Sequence, residues 1–345
     1  MAQAPVPRAS AVRVTGPASA RLGPADIDRA RERLDGRVWR TPVVRCEQLD
    51  ALAGTRLWLK AENLQRGGSF KVRGALLAVE ELAAAGSLGV VAQSTGNHAI
   101  AVALAAAGHG LRAVLVLPHD APPVKVRRIR DAGAEVAFAG PGLAERVAAV
   151  ARLREQHGYD EVDPYQNPYV IAGQGTATAE LLDQVAAEGH RLDAVVVPIG
   201  GGSAIAGACL ATAGRHTAVV GAEPDAVPAF LAALRAQRPV TVAARHTIAD
   251  GLRPEEIGRL PFALARRRVR AVVGVPEEAI AEALVAALVH ARLVIEPAAA
   301  TALAAAISRG AEHGADVGVL LSGGNVEPAL VASLLAAWES GPTAS

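Results

Sequence analysis

The stretch "DAVVVPIGGGSAIAGACLA" at residues 193–211 joins a continuous apolar run to an alanine-rich segment through three consecutive glycines. Two other stretches follow the same plan, "GVVAQSTGNHAIAVALAAAG" at 89–108 and "GVLLSGGNVEPALVASLLAAW" at 318–338. An apolar run without alternation is typical of a strand that is buried on both faces of a parallel sheet. The three stretches therefore predict strand, turn and helix units of an α/β protein with mainly parallel sheets.

Shorter apolar runs extend this pattern to other parts of the chain. "RAVLVLP" at 112–118, "AEVAFAG" at 134–140 and "TAVVGAEP" at 217–224 predict further strands, and 277–291 predicts a helix. In folds of this class, ligands bind at the carboxyl ends of the strands, in the strand-to-helix turns. The three polar or glycine-rich turns therefore predict one composite site.

Composition excludes several classes of function. The 345 residues carry a formal net charge of +1 with both signs interspersed, which gives no electrostatic case for binding nucleic acid or an anionic membrane. Cys46 and Cys209 stand in no metal or redox spacing, so we expect a reduced, cytoplasmic protein. Residues 1–20 lack a continuous apolar run and predict a disordered leader rather than a signal peptide.

The turn "PIGGGSAIAG" at 198–207 has the features of a phosphate cradle. Gly200, Gly201 and Gly202 leave backbone N–H groups open to a ligand, the following helix offers its positive N-terminus, and Ser203 adds a hydroxyl. A tight structural turn is the alternative interpretation. The stretch matches neither the Walker spacing nor G-x-G-x-x-G with a following acidic residue, which argues against a nicotinamide-dependent dehydrogenase.

Two further turns carry polar side chains. In "QSTGNHA" at 93–99, Ser94 or Thr95 can cap the following helix, and the same loop can hold a carboxylate with its N-terminal amides. "LSGGNV" at 321–326 places Ser322 just after a strand, with two glycines that give close access to the backbone. A purely structural turn is the alternative in both places.

Lysine is rare in this chain, and one lysine suggests the chemistry. Lys60, Lys71 and Lys125 are the three lysines among 35 basic residues. An arginine stays protonated in proteins, whereas a partly buried lysine can lose its proton and attack a carbonyl to form a Schiff base. A phosphate cradle together with such a lysine suggests pyridoxal 5′-phosphate, although a surface position for Lys71 is the simpler alternative.

At this point the residues resemble a known family. "LKAENLQRGGSFKVRGA" at 59–75 resembles the cofactor-lysine segment of fold-type II pyridoxal-phosphate enzymes, in the serine/threonine dehydratase and serine racemase family. Motifs similar to that family's continue in order along the chain: "STGNHAIAVALAA", "RRIRDAGAEV", "VIAGQGT", "VVVPIGGGSAIAG", "GAEP", "TIADGL" and "SGGN". The resemblance covers about 40–340. It implies a tryptophan synthase β-like α/β architecture with two lobes, each built on a mainly parallel twisted sheet flanked by helices.

The resemblance also implies a domain organisation. Residues 21–84 and 168–340 would form a large cofactor-binding domain, and 85–167 a small mobile domain. Because the chain ends soon after "SGGN", no C-terminal regulatory domain is expected. The family further suggests a homodimer that acts on a small amino acid.

Carried over residue by residue, the resemblance implies specific roles. Lys71 would hold the cofactor as a Schiff base and, once released by substrate, move the α-proton. Phe70 would pack beside the cofactor ring, Asn97 would hydrogen-bond its 3′-oxygen, and Ser322 would face the pyridine nitrogen. The phosphate would be held by Gly200, Gly201, Gly202 and Ser203. The loop around the substrate carboxylate would comprise Ser94, Thr95, Gly96, Asn97 and His98.

The expected reaction is α,β-elimination of water from a β-hydroxy amino acid, L-threonine or L-serine by default, giving a 2-oxo acid and ammonia. A serine beside the pyridine nitrogen should leave that nitrogen largely unprotonated, which favours loss of a β-hydroxyl over transamination. The alternatives are an amino-acid racemase, with Thr95 as the acid/base on the opposite face, or a dehydratase of hydroxyectoine or 3-hydroxyaspartate. A cofactor-carrying protein without turnover is a further alternative.

Two positions depart from the family's pattern. Ser203 replaces the usual fourth glycine of the phosphate loop, which keeps a group able to bind an anion. The family's divalent-metal site uses the glutamate of "EP", here Glu223, and an aspartate six residues on, where this chain has Ala229. We therefore expect the metal site to be incomplete.

Overall fold

The computed structural model describes residues 22–339 except 95, 122, 141 and 244. The leader predicted for 1–20 and the side chain of Thr95 lie outside the described residues. Within them, no helix is long and apolar enough to cross a membrane. The two cysteines, Cys46 and Cys209, are buried and free.

The described part of the chain contains ten strands, and they include those predicted from the apolar runs. Their bounds are β1 Val43–Val44, β2 Arg56–Ala61, β3 Gly89–Gln93, β4 Arg112–Pro118, β5 Glu135–Ala139, β6 Asp160–Glu161, β7 Ala194–Pro198, β8 Ala218–Pro224, β9 Val269–Val275 and β10 Asp316–Leu321.

The helices of the described chain alternate with these strands. They are α1 Pro24–Leu34, α2 Glu47–Ala53, α3 Lys71–Ala84, α4 Asn97–Gly108, α5 Pro123–Asp131, α6 Leu143–His157, α7 Pro168–Ala187, α8 Ser203–Ala211, α9 Ala229–Ala236, α10 Arg259–Ala265, α11 Glu277–Ala286, α12 Pro297–Arg309 and α13 Pro328–Glu339. The helix predicted at 277–291 is α11 continued by a π-helical turn at Ala287–Ala291.

The strands form two mainly parallel sheets, as the apolar runs predicted. The larger sheet has the order β1-β2-β10-β7-β8-β9, with β1 antiparallel to β2 and every other pair parallel. The smaller sheet has the order β5-β4-β3-β6, and all of its pairs are parallel. Every residue of β7, at the centre of the larger sheet, is buried, which explains why that stretch is continuously apolar.

The two sheets correspond to separate parts of the chain. All four strands of the smaller sheet lie between 89 and 161, and α7 begins at Pro168. These positions agree with the predicted small domain at 85–167. The division of the chain into two domains and the mobility of the smaller domain remain predictions. The carboxyl ends of β2, β3, β7 and β10 lead into the segments that carry the predicted site residues.

Glycines allow α3, α7 and α8 to approach closely behind the site. A Cβ added to Gly74 of α3 would lie 2.6 Å from the Val170 carbonyl oxygen, and one added to Gly173 of α7 would lie 2.6 Å from the Arg73 carbonyl oxygen. A Cβ on Gly207 of α8 would lie equally close to the backbone of α7. The "VIAGQGT" motif thus permits backbone contact between helices, a structural role that its sequence alone did not reveal.

Candidate active site

The turn at 66–71 presents Lys71 at the start of α3. Gly67 and Gly68 adopt φ of 70° and 75°, in the left-handed region that favours glycine. A Cβ on Gly68 would lie 2.6 Å from Oδ1 of Asn325, so this turn also needs a residue without a side chain. The two glycines of "QRGGSFK" therefore make a close approach to the loop after β10 possible.

Backbone hydrogen bonds fix this turn against the loop that carries Ser322. The Phe70 N–H donates to the Ser322 carbonyl oxygen at 3.0 Å, and Ser69 forms an isolated bridge with Gly323. The centroid of the Phe70 ring lies 5.1 Å from Nζ of Lys71. Ser322 is buried, and its hydroxyl has no hydrogen-bond partner in the described part of the chain. Three predicted site residues are thus brought into one place.

The Lys71 amine lies between two polar oxygens at the edge of the glycine loop. Its Nζ donates at 3.4 Å to the Pro164 carbonyl oxygen and at 3.4 Å to Oγ of Ser203. Burial lowers the pKa of Lys71 from 10.5 to about 8, against the opposing effect of the Asp163 and Glu296 carboxylates. An amine with this pKa is half neutral at a pH of about 8, so a substantial fraction is already in the neutral state that a nucleophile or a base requires.

We expect the reactivity of Lys71 toward an amine-modifying reagent to follow this lowered pKa. In the cofactor-free protein, labelling should rise as the pH increases through about 8, because the neutral form alone reacts, and should level off above it. With three lysines in the chain, mass spectrometry of peptides separates Lys71 from Lys60 and Lys125. A labelling midpoint near 10.5 would show that the amine is not desolvated.

The glycine loop after β7 has the free N–H groups that a phosphate requires. The described residues offer no acceptor to the backbone N–H groups of 200–203, which lie at the beginning of α8. Gly202 has φ of 102°, and a Cβ on Gly201 would lie 2.2 Å from the ring of Tyr165. Four unpaired donors at a helix N-terminus, beside a lysine amine, fit the phosphate and aldehyde of pyridoxal phosphate.

The loop between β3 and α4 carries the residues predicted to surround the substrate carboxylate. Oγ of Ser94 accepts a hydrogen bond from the Gly96 N–H at 3.2 Å, so this hydroxyl shapes the loop. Asn97 and His98 are the first two residues of α4. Thr95, predicted both as a carboxylate contact and as an acid/base, lies outside the described residues.

Asn97 joins this loop to the loop after β10. Its Nδ2 donates to both carboxylate oxygens of Glu296, at 2.8 and 2.9 Å, and its Oδ1 accepts from Nδ2 of Asn325 at 2.7 Å. Asn325 also donates to the Gly67 carbonyl oxygen at 2.8 Å. The segments that contain Asn97, Asn325 and Lys71 therefore form one connected network, in which the Asn97 amide nitrogen is directed at Glu296.

Glu296 is a residue of this site that sequence reasoning missed. It is buried, and burial raises its pKa to about 7, although the hydrogen bonds from Asn97 act in the opposite direction. In the sequence, Glu296 stands before Pro297 at the start of a helix, where an acidic residue is ordinary. No local pattern marks it as a partner of a residue 199 positions away.

His98 is a buried, neutral histidine. Its Nε2 lies 2.8 Å from the Val162 carbonyl oxygen, an acceptor, so Nε2 carries the proton. Burial and the nearby Lys71 charge lower the pKa of His98 to about 3. Nδ1 is buried and has no partner within the described residues. The side chain therefore holds the segment after β6 in place and is not a cation that could bind the substrate carboxylate.

Glu223, predicted as a remnant of a metal site, has another partner. Its carboxylate oxygens accept hydrogen bonds from the Phe230 and Leu231 N–H groups, each at 2.9 Å, and so satisfy the N-terminus of α9. Burial raises the pKa of Glu223 to about 7. The described residues contain no group of three or more His, Cys, Asp or Glu side chains that could hold a metal ion.

Comparison with known proteins identifies the family. The sequence profile of "pyridoxal-phosphate dependent enzyme" matches residues 34–323. The chain is 36% identical to L-threonine ammonia-lyase of Thermotoga maritima, over 88% of this chain and 75% of the relative. It is 35% identical to L-threo-3-hydroxyaspartate ammonia-lyase of Saccharomyces cerevisiae, over 92% and 98% respectively.

A solved structure of a related enzyme has the same fold. The structure of maize serine racemase superposes with a TM-score of 0.85 at 34% sequence identity, covering 93% of this chain and 99% of the maize chain. The profile match and the two ammonia-lyase relatives extend over most of the folded chain. This protein therefore belongs to the family of pyridoxal-phosphate dependent enzymes.

Proposed function

We propose that this enzyme eliminates water from a β-hydroxy amino acid, L-threonine or L-serine by default, and releases a 2-oxo acid and ammonia. The observation that carries the proposal is the Lys71 amine, desolvated to a pKa of about 8 and placed beside the free N–H groups of the glycine loop. Two of the relatives described above are ammonia-lyases, which supports a lyase reaction.

Bound pyridoxal phosphate would supply an electron sink that acidifies the α-hydrogen of the substrate. The N–H groups of 200–203 would hold its phosphate, and Phe70 would pack against its ring. Lys71, as a neutral amine, would accept the α-proton. The unpaired hydroxyl of Ser322 would meet the pyridine nitrogen as a neutral partner, and the Asn97 side chain would lie at the 3′-oxygen.

The substrate carboxylate is assigned to the loop of Ser94, Thr95, Gly96, Asn97 and His98. Because His98 is neutral, the loop would bind the carboxylate through N–H and hydroxyl donors rather than through a charged side chain. Such donors can satisfy a carboxylate at a helix N-terminus, here that of α4.

A serine-type racemase is the second candidate, and the likeness to maize serine racemase supports it. Racemisation requires a second acid/base on the face opposite Lys71, and Thr95 is the proposed group. A homodimer in the cytoplasm, with 85–167 moving as a small domain, completes the proposal.

The two candidates are separated by their products. The protein reconstituted with pyridoxal phosphate is incubated with L-serine and L-threonine, and both the 2-oxo acid and the α-inverted D-amino acid (D-serine or D-allo-threonine) are measured. We expect 2-oxo acid and ammonia in equal amounts, with little α-inverted amino acid. Formation of the α-inverted amino acid without 2-oxo acid would reverse the order of the two candidates, and the absence of both products would overturn the proposal.

A further inference from the structure

The turn that follows β6 contacts the reactive amine and carries a carboxylate whose charge acts on it. Oδ1 of Asp163 accepts hydrogen bonds from the Tyr165 N–H at 2.8 Å and the Gln166 N–H at 2.6 Å, which fixes the turn. The carbonyl oxygen of Pro164, the next residue, lies 3.4 Å from Nζ of Lys71. Asp163 is half-buried, and Oδ2 has no hydrogen-bond partner in the described part of the chain.

Several carboxylates influence the charged and polar groups around the Lys71 amine electrostatically. The charges that act on the Lys71 amine are those of Asp163 and Glu296. The charges that act on Glu296 are those of Asp250 and of Lys71 itself. Asp250 is already paired, because Nζ of Lys125 lies 2.5 Å from its Oδ2. The charges that act on the neighbouring Tyr165 hydroxyl are also carboxylates, those of Asp163, Glu256 and Glu161.

Two other cations belong to this set of interacting groups, but each is already paired with a carboxylate, Lys125 with Asp250 at 2.5 Å and Arg154 with Glu161 at 3.3 Å. Within the part of the chain that the structure describes, Lys71 is the cation of this set that forms no ion pair, since its Nζ contacts the Pro164 carbonyl oxygen and the Ser203 hydroxyl. Its amine is the group proposed to hold the cofactor and to move a proton, so it is not available as a lasting partner for a substrate side chain. The phosphate of bound pyridoxal phosphate would add further negative charge. The N–H donors of the 94–98 loop are assigned to one carboxylate, which the α-carboxylate of any amino acid would occupy.

We infer that the enzyme takes β-hydroxy amino acids with an uncharged side chain and rejects those with a second carboxylate, and that Asp163 is a specificity-determining residue. This inference depends on the proposed function and narrows its substrate class. It disfavours the 3-hydroxyaspartate alternative, even though a relative described above acts on that compound.

The physical reason for rejecting a second carboxylate is its repulsion by the like charge of Asp163, which no available cation among the described residues offsets. A second carboxylate would lose water on entering the site and would find a carboxylate at the turn where a cation would be needed. Specificity against a competitor is often produced by such a repulsive contact rather than by an added attraction. An uncharged hydroxymethyl or hydroxyethyl side chain carries no such penalty.

L-Asparagine and L-aspartate form a matched pair of probes, since they differ in charge but hardly in shape and neither carries a β-hydroxyl. Their binding to the cofactor-loaded enzyme is measured by calorimetry and by the change in cofactor absorption. We expect L-asparagine to bind at least about tenfold more tightly than L-aspartate.

The variant Asp163→Asn removes the charge and keeps the oxygen that accepts the two turn hydrogen bonds. We expect it to reduce the binding ratio to about threefold or less. Asp160→Asn, three residues earlier in β6, removes the same charge from the same segment and should leave the ratio unchanged. Equal binding of the two probes to the unaltered enzyme, or an unchanged ratio in Asp163→Asn, overturns the inference.

Conversion of L-serine and L-threonine on the same preparation separates this inference from the proposed function. If 2-oxo acid forms while L-aspartate binds as tightly as L-asparagine, the specificity inference fails and the proposed function stands. If L-asparagine is preferred but neither L-serine nor L-threonine yields a 2-oxo acid or an α-inverted amino acid, the proposed function fails instead.

Discussion

Replacing Lys71 by alanine is expected to lower kcat by at least about a thousandfold, because the group that holds the cofactor and accepts the α-proton is lost. Lys71→Arg should be equally inactive. Arginine keeps a positive charge and a long side chain, but it stays protonated in proteins and cannot act as a neutral amine. Neither variant should show the visible absorption band at about 410–420 nm that pyridoxal phosphate develops on an amine.

The matched control is Lys125→Arg, the same substitution at the lysine that pairs with Asp250. Because arginine can keep this ion pair, we expect Lys125→Arg to retain the absorption band and most of the activity. Circular dichroism on all variants would establish that each is folded. If Lys71→Ala retained the band, the cofactor would be attached elsewhere and the proposed function would lose its central residue.

Much of the fold could be predicted because its strands are local features of the sequence. The predicted strand at 112–118 coincides with β4, the one at 134–140 exceeds β5 by one residue at each end, and the one at 217–224 begins one residue before β8. The fold class, the family and the cofactor suggested by the motifs are confirmed by the comparisons. A continuous apolar run between glycines indicates a buried parallel strand regardless of what surrounds it.

The site could be predicted only in part, because its remaining members are defined by contacts between distant segments. Asp163 influences Lys71 through a turn 92 positions further along the chain, and Glu296 meets Asn97 across 199 positions. Both acids occupy ordinary local contexts, a turn and a helix start. A pattern of neighbouring residues does not encode which charges will surround an amine after folding.

A buried ionic network behind α3 is a second feature that the sequence did not reveal. Arg73, two residues after Lys71, is fully buried and forms a fork with the Glu62 carboxylate, from Nε at 2.8 Å and from Nη2 at 2.8 Å. It also donates to both carboxylate oxygens of Glu180 on α7, at 2.7 and 2.9 Å. Lys60 of β2 donates to Glu180 at 2.8 Å.

Arg73→Met is expected to lower the free energy of unfolding by about 3–5 kcal/mol, because the buried Glu62 carboxylate would lose both charged hydrogen bonds. The loss should be measured by urea denaturation of the cofactor-free protein. Arg112→Met is the matched control. Arg112 forms a similar contact with Glu135 but is 63% exposed, and the partner is 57% exposed, so solvent screens the pair and its loss should lower the stability far less than the loss of Arg73.

The double variant Arg73→Met/Glu62→Met tests the reason for this loss. If the single variant is unstable because a carboxylate is buried without a partner, removing that carboxylate should recover a large part of the stability, since apolar replacements of buried ion pairs are often nearly neutral. If the double variant is less stable than Arg73→Met, the packing and the other hydrogen bonds of the two side chains matter more than the unpaired charge. If Arg73→Met costs no more than Arg112→Met, the buried network does not hold α3, and Lys71 with it, against β2 and α7.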